Sequence, residues 1–386
     1  MFGDLRTPID TVTHSAIALK NLGLTAEAER LEALWGMIEQ LMRNAGDVLV
    51  LSPMFLENIG HMVLAGAMIE AQRMDYFKPK RTAAATERPH NPFLCRLLSR
   101  FLEPLPAQYA FGEILNTAKV FMLSDGRRIQ MMELVSEAAR VWSEGGRPFL
   151  QLDEEVLERG WANLAPFGVK RGDRLVTLHI REQGFHAYSD RASINEAELN
   201  RIRNAPVESY GPAVEQVIAN GGTVVRLGNP GMTRVGHRPG FIDYPFTDFR
   251  SDWMDIFLAS QCHYHIGSAS GMSFVPMLFG RAVLFTNYVT LASLIDGPSV
   301  VTLFKPLRDR AGRLVPFAEH AQRFRFVQND IELDFHGIEH DYNGVEDVSE
   351  AVDLMERYVD PGSGLLRAPD HVFRAAREAF AKSPVA

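Results

Sequence analysis

The sequence between residues 175 and 285 repeatedly places a short apolar, β-prone segment before a stretch of helical character. Five apolar, β-prone segments occur, at Leu175–Ile180, Thr223–Leu227, Phe241–Tyr244, Cys262–Ile266 and Ala282–Phe285, and helical stretches follow the first, third and fourth. Consecutive strands joined through a helix lie parallel in one sheet, because the crossover returns the chain to the same edge. The repeat therefore predicts an α/β fold in which a parallel sheet carries helices on both faces.

The first of these strands ends in ionisable residues. His179, Arg181 and Glu182 follow the apolar run, and Gly184 comes next. Burying charge is costly, and ligands of open α/β sheets bind just outside the carboxyl ends of the strands. The planar guanidinium of Arg181 suits a phosphate. The alternative is an edge strand in which Arg181 pairs with Glu182 or with a distant carboxylate.

A small-residue loop, Gly267-Ser-Ala-Ser-Gly271, lies between the fourth strand and a predicted helix, and we call it the serine loop. Its N–H groups and the hydroxyls of Ser268 and Ser270 converge at a helix start, which suits a diphosphate or a ribose. No Gly-Lys-Ser/Thr follows, so the loop is not a P-loop. The alternative is a tight turn that lets the helix pack on the strand.

Two further residues on these strands are candidates for donor binding. Asp243 ends its strand at the same edge, where a carboxylate can accept from a base or a ribose hydroxyl, or can cap the next loop. Arg226 lies within an apolar strand and needs a partner, either Asp243 or a ligand phosphate. His263 and His265 could form a metal pair, but this pattern in a buried strand is more often core. No Asp-x-Asp pair occurs, so we predict no metal site.

The amino-terminal part predicts the start of a second α/β domain. Residues 8–44 have helical character, 47–51 form a short strand, 52–60 a loop and 61–74 a helix. The loop contains Asn58 and Gly60, and the start of the following helix can meet an anion. The alternative is an ordinary turn between strand and helix.

Composition limits the class of protein. A chain of 386 residues predicts two domains of about 150 to 200 residues each. The net charge of -8 disfavours a nucleic-acid groove. Two cysteines are too few for a disulfide scaffold, and no apolar stretch approaches a membrane span or a signal peptide. We expect a soluble, cytoplasmic protein.

Several motifs, in order, resemble a bacterial group of glycosyltransferases from surface-carbohydrate and secondary-metabolite gene clusters. They cover most of residues 50–360, at His179–Phe185, Gly222–Gly228, Ile242–Tyr244, Ser251–Phe257, Ile266–Gly280 and Asn58–His61. More distantly, His179-Ile-Arg181 is similar to a segment of GDP-fucose-dependent fucosyltransferases of the GT-B fold. The aspartate that usually follows that segment is not evident here, which leaves the donor base and sugar open.

The resemblance implies a GT-B architecture, which has two Rossmann-like lobes with a cleft between them. We assign residues 1–170 to an acceptor-side lobe with a helical start, 171–362 to a donor-side lobe, and 363–386 to a carboxy-terminal helix. The implied activity is transfer of a sugar from a nucleotide-diphosphate sugar to an acceptor hydroxyl, without a cofactor. By the same resemblance, we expect inversion at the anomeric carbon. The acceptor could be a sugar, a natural product or a protein.

In this interpretation Arg181 and the serine loop neutralise the departing diphosphate, in place of a metal. The donor-binding candidates are His179, Arg181, Arg226, Asp243, Gly267, Ser268 and Ser270. Asn58 and Gly60 would line the cleft, opposite the donor. The candidates for the catalytic base are Glu57, His61 and Glu182.

Two other functions fit the same pattern. One is a nucleotide-sugar epimerase or hydrolase on the same fold, which would act without an acceptor. The other is a non-catalytic nucleotide-sugar-binding protein that lacks a base.

Overall fold

The computed structural model divides into two compact units, Met1–Ala138 and Ala139–Ala386. The structure describes residues 16, 19–20, 23–33, 48–51, 54–75, 81–84, 86, 88–104, 120–122, 128–130, 136–137, 140, 148, 150–182, 201–291, 294–295, 297–325, 327–360 and 362–367. The predicted helices at about 130–144 and 368–381 lie mostly or wholly outside the described residues, as does most of 8–44.

The first unit contains a three-stranded parallel sheet in the order β1-β2-β3. Its strands are β1 (Val48–Val50), β2 (Arg81–Ala84) and β3 (Leu102–Pro104). Its helices are α1 (Met54–Glu57), α2 (Ile59–Arg73) and α3 (Pro92–Ser99). Residues 25–33 are also helical, as their composition predicts, and β4 (Val120–Met122) pairs antiparallel with β5 (Arg128–Gln130).

The segment predicted as a loop at 52–60 is largely helical, and this prediction was wrong. Helix α1 is followed directly by α2, and Asn58 forms the boundary between them. The Asn58 side chain accepts a hydrogen bond from the Gly60 backbone N–H at 3.0 Å, which satisfies one of the free donors at the start of α2. The apolar side chains of α2, among them Met62 and Met68, are buried and hold this helix in the core of the unit.

The second unit contains a six-stranded, fully parallel sheet, which confirms the predicted fold class of a parallel sheet in an α/β protein. In the order of the sheet, its strands are β11 (Val300–Phe304), β10 (Ala282–Tyr288), β9 (Tyr264–Gly267), β6 (Leu175–His179), β7 (Thr223–Arg226) and β8 (Phe241–Asp243). The edge strand β11 was not predicted from the sequence.

The second unit contains the helices α4 (Glu154–Leu164), α5 (Gly211–Ala219), α6 (Asp252–Gln261), α7 (Phe317–Arg323), α8 (Asp330–His336) and α9 (Val345–Tyr358). Val176 and Leu178 of β6 pack with α5 and α9 in one apolar cluster. Side chains alternate along a strand, so Thr177 and His179 point to the opposite face, where α6 lies.

Two 3₁₀ helices replace predicted α-helical turns. The segment Val207–Tyr210 forms a 3₁₀ turn before α5. Gly221, two residues after the end of α5, adopts the left-handed conformation that commonly follows a helix. The helix after the serine loop, Gly271–Phe279, is also of 3₁₀ type and contains Pro276.

The two units divide between residues 138 and 139. The domain boundary predicted from the sequence lies between residues 170 and 171. Helix α4 is grouped with the second unit because it packs on α6. The Trp161 ring lies edge-on to Phe257 at 5.4 Å between centroids, and a side chain at Gly160 would collide with the same ring.

A smaller cluster of apolar side chains forms a second core within this unit. It includes Ile202, Leu307, Phe324 and Leu333. The antiparallel strands β12 (Leu307–Asp309) and β13 (Ile338–His340) lie here, beside α7 and α8. In the part of the chain that the structure describes, no helix combines the length and apolar character that crossing a membrane requires.

Candidate functional site

The register of the sheet places two predicted site residues side by side. Strands β6 and β9 are parallel neighbours in the middle of the sheet, and His179 is the register partner of Gly267. Arg181 follows β6 and the serine loop follows β9, so both leave the sheet at the same edge. That edge is formed by the carboxyl ends of the strands, where ligands of α/β sheets bind.

Hydrogen bonds fasten the serine loop to the end of β6. The backbone N–H of Arg181 donates to the Ser268 Oγ at 2.8 Å, and the Ser268 N–H donates to the His179 carbonyl at 3.0 Å. The Ser270 carbonyl accepts from the Ser273 N–H at 3.0 Å, which begins the following helix. Both loop serines are buried. The loop is therefore held in a defined shape against Arg181.

Gly267 is required by close packing. A Cβ at this position would collide with the Ser273 Oγ and would lie 2.6 Å from the His265 Nε2. The His265 ring is fully buried, and its Nδ1 lies 2.9 Å from the Thr177 Oγ1. Burial holds the pKa of His265 well below its usual range, and the nearby His179 acts in the same direction. His265 thus packs as a neutral core residue behind the loop.

His179 is a neutral residue that orients Ser270. The pKa of His179 is lowered to about 4, mainly by burial. A hydrogen bond to the Leu227 carbonyl raises this pKa, and the charges of Arg181 and Arg226 lower it. A carbonyl oxygen only accepts, so the Nδ1 carries the proton and donates to Leu227 at 3.3 Å. The Nε2 then accepts from the Ser270 hydroxyl at 3.0 Å. Because the Ser270 hydroxyl proton is bonded to His179, the Ser270 oxygen can act only as a hydrogen-bond acceptor toward other groups.

Arg203 reaches the serine loop and was not predicted. Its Nε donates to the Ala269 carbonyl at 2.7 Å. Burial lowers the pKa of its guanidinium, so an anion bound beside it would reduce the cost of keeping this charge. Arg203 lies in a short 3₁₀ turn, Arg201–Arg203, and the N–H of Ala205 just beyond it donates to the Arg181 carbonyl at 3.0 Å. No motif in the sequence marks this arginine.

Arg226, Asp243 and Glu182 form a buried charged cluster, which we call the Arg226 cluster. The Arg226 guanidinium donates to the Asp243 Oδ1 at 2.9 Å and to Glu182, and its side chain is fully buried. It also donates to the Thr233 carbonyl at 2.6 Å. The structure thus joins three predicted site residues to one another. Of the two partners that the sequence offered for Arg226, the structure shows the Asp243 carboxylate.

The Arg226 cluster also fixes the chain segment that follows β7. The Asp243 Oδ2 accepts from the backbone N–H groups of Val235 and Gly236, each at 2.8 Å. The Glu182 Oε2 accepts from the Thr233 N–H at 3.0 Å. Residues 233–236 are therefore tied to the ends of β6 and β8. The donor-binding and catalytic roles assigned to these three residues stay predictions.

The predicted site residues of the first unit lie on α1, on α2 and between them. The Glu57 carboxylate accepts from the Thr86 hydroxyl at 2.8 Å. His61 lies in the first turn of α2, with its ring 5.8 Å from that of Phe55. Gly60 is in the first turn of α2 rather than in a loop. The placement of these residues opposite Arg181 stays a prediction.

His265 lies on β9 and His263 directly precedes this strand. Among the described residues, no group of three or more histidine, cysteine, aspartate or glutamate side chains is arranged to hold an ion. Cys95 and Cys262 are both free thiols.

Comparison with known proteins adds two solved structures. No protein-family model matches the chain, and no curated protein does. A glycosyl transferase family 9 protein from Veillonella parvula is similar over 87% of this chain and 98% of its own, with 11% identity and a TM-score of 0.42. The E. coli heptosyltransferase WaaC with ADP-2-deoxy-2-fluoro heptose is similar over 64% of this chain and 65% of its own, with 10% identity and a TM-score of 0.25.

Proposed function

We propose that the protein is a glycosyltransferase that moves a sugar from a nucleotide-diphosphate sugar to an acceptor hydroxyl. One observation carries the proposal. Arg181 and Arg203, from separate segments, both adjoin the serine loop at the carboxyl ends of the two central strands. Arg203 touches the loop through its guanidinium and Arg181 through its backbone N–H. Two arginines that adjoin a loop at the start of a helix suit a diphosphate, because forked donors match phosphate oxygens. The sequence resemblance to bacterial glycosyltransferases supports the same activity.

In this proposal the two arginines stabilise the charge that develops on the leaving diphosphate. Fixed positive groups at that position lower the energy of the transition state without reorganisation. They supply the role that a divalent cation has in other transferases, so we propose metal-independent catalysis. Ser268 and His179 hold the loop and its second serine in place. Inversion at the anomeric carbon is proposed from the distant resemblance to fucosyltransferases.

The catalytic base is proposed to come from Glu57 or His61 of the first unit. Glu182 is a weaker candidate, because its carboxylate already accepts from Arg226 and from the Thr233 N–H. Arg226 and Asp243 are better explained as residues that shape the site than as direct ligands of the phosphates, since each is bonded to the other. We propose that the protein acts in the cytoplasm, where nucleotide sugars are made.

A ligand screen followed by product analysis tests the proposal. Nucleoside diphosphates and their sugars are added to the purified protein, and the midpoint of thermal unfolding is measured. A ligand that binds only the folded state raises this midpoint by mass action. We expect at least one nucleoside diphosphate and its sugar to do so, and the sugar to be transferred to an added acceptor. Stabilisation by none of them would contradict the proposal, and release of free sugar without transfer would identify a hydrolase.

A further inference from the structure

A pocket of about 280 Å³ lies on the α5 face of the sheet, near the end of β6. Leu178, Val214 and Phe241 form its apolar floor, and Glu208, Thr233 and Arg238 lie among its polar lining residues. None of the residues predicted from the sequence to bind donor or acceptor lines it. Ligand pockets commonly combine an apolar surface with a few polar groups in this way.

Both walls of the pocket are fixed by buried polar contacts. On one side, the segment from Thr233 to Gly236 is held by the Arg226 cluster through four hydrogen bonds to its backbone. On the other side, the Tyr210 hydroxyl lies 2.5 Å from the Thr286 Oγ1 and accepts from the Asn287 amide at 2.9 Å. A pocket with fixed walls loses little entropy when it binds a rigid ligand.

Hydrogen bonds connect both walls of the pocket to the segment that contains Arg181. The Arg181 carbonyl accepts from the Ala205 N–H at 3.0 Å, two residues before the pocket wall that begins at Val207. The next residue, Glu182, accepts from the N–H of Thr233 on the opposite wall. Both walls are thus hydrogen-bonded to Arg181 and Glu182, which follow β6 after Ile180.

We propose that this pocket binds the nucleoside of the donor, which makes the Arg226 cluster a determinant of nucleotide recognition. The inference rests on the proposed function, because it assigns the base end of the ligand whose diphosphate meets Arg181 and Arg203. The apolar floor suits the face of a flat heterocycle. The Arg238 guanidinium lies over the Phe241 ring at 4.5 Å and pairs with Glu215, and such a planar cation also stacks on bases. Glu208 and Thr233 supply hydrogen-bonding groups at the walls.

A side chain introduced at Gly211 tests the proposal. Gly211 lines the pocket in the first turn of α5, and a Cβ there would meet no heavy atom within 4 Å. Gly211→Leu therefore fills space without a clash. Ala219→Leu is the matched control, because it adds a similar side chain to the exposed end of the same helix. Calorimetry measures the binding of ADP, GDP, UDP and inorganic pyrophosphate to each protein.

The expected result is that the unmodified protein binds one nucleoside diphosphate at least about tenfold more tightly than pyrophosphate. Gly211→Leu weakens that binding about tenfold and changes pyrophosphate binding less than about twofold. Ala219→Leu changes neither. If Gly211→Leu binds neither ligand, Thr233→Phe is tested instead, because it fills the pocket from the other wall. The inference then depends on whether Thr233→Phe weakens the binding of the nucleoside diphosphate more than that of pyrophosphate.

Two results would overturn the inference while the proposed function stands. One is a nucleoside diphosphate that binds no more tightly than pyrophosphate, and the other is unchanged nucleotide binding in both filled variants. Failure of the unmodified protein to bind any of the four ligands would instead contradict the proposed function itself.

Discussion

Replacement of Asp243 by alanine is expected to destabilise the second unit strongly. The Asp243 carboxylate is fully buried and accepts three hydrogen bonds, from the Arg226 guanidinium at 2.9 Å and from two backbone N–H groups at 2.8 Å. Alanine removes the acceptor of all three at once. The buried guanidinium keeps Glu182 as its remaining carboxylate partner.

The size of the effect follows from these contacts. Removing one partner of a buried ion pair costs about 3 to 5 kcal/mol, because the remaining charge stays buried. Each backbone N–H that is left without an acceptor adds about 1 to 3 kcal/mol. The contributions overlap, and Glu182 offsets part of the first. We therefore expect Asp243→Ala to lower the free energy of unfolding by about 4 kcal/mol, a large part of the roughly 5 to 15 kcal/mol that stabilises a typical domain.

Urea unfolding measures this change by tryptophan fluorescence, because three of the four tryptophans, Trp142, Trp161 and Trp253, belong to the second unit. The matched control is Asp341→Ala, which removes a carboxylate from the half-exposed ion pair with Arg308. Exposed pairs contribute less than about 1 kcal/mol, so the control should stay close to the unmodified protein. If the two variants are equally stable, the Arg226 cluster does not stabilise the unit as described.

Two further predictions concern pH and metal ions. The pKa of His179 is about 4 in the folded protein, below its ordinary value of 6.5, so stability from this group is present at neutral pH and lost as the pH falls toward 4. Between pH 7 and 5 this loss lowers the free energy of unfolding by about 2 kcal/mol. Urea titrations of His179→Gln should show a change in the free energy of unfolding that is smaller by about this amount over the same pH range. The exposed His336→Gln control should match the unmodified protein. Transfer activity should survive exhaustive treatment with EDTA, and activity that disappears and returns with magnesium or manganese would contradict the role given to the arginines.

The parallel sheet of the second unit was predictable because its signal is local. Each of its five predicted strands is a short apolar run that is set off by glycine, proline or a polar turn. The edge strand β11 was not recognised, although Val300–Phe304 is also a short apolar run. Helix α1 and the start of α2 were predicted as a loop. The Asn58 cap and tertiary burial, rather than local propensity, define where these helices start.

The site was predictable only in part, because its contacts join distant residues. His179, Arg181 and the serine loop were identified from their position at strand ends, and the register of β6 and β9 brings them together. Arg203 carries no motif, and only the fold brings it to Ala269. The sequence also offered Arg226 two kinds of partner, and its choice of Asp243 depends on the neighbouring strand.

The central claim is that Arg203 and Arg181 bind the donor diphosphate, and calorimetry with a nucleoside diphosphate tests it most directly. Arg203→Ala should weaken binding about tenfold to a hundredfold, because hydrogen bonds to charged groups contribute about 1.5 to 3 kcal/mol. Arg201→Ala is the matched control on the same 3₁₀ turn, where the exposed guanidinium faces Asp330 instead of the serine loop. It should change binding less than about threefold. Equal binding by the Arg203→Ala, Arg201→Ala and unmodified proteins, all folded, would contradict the claim.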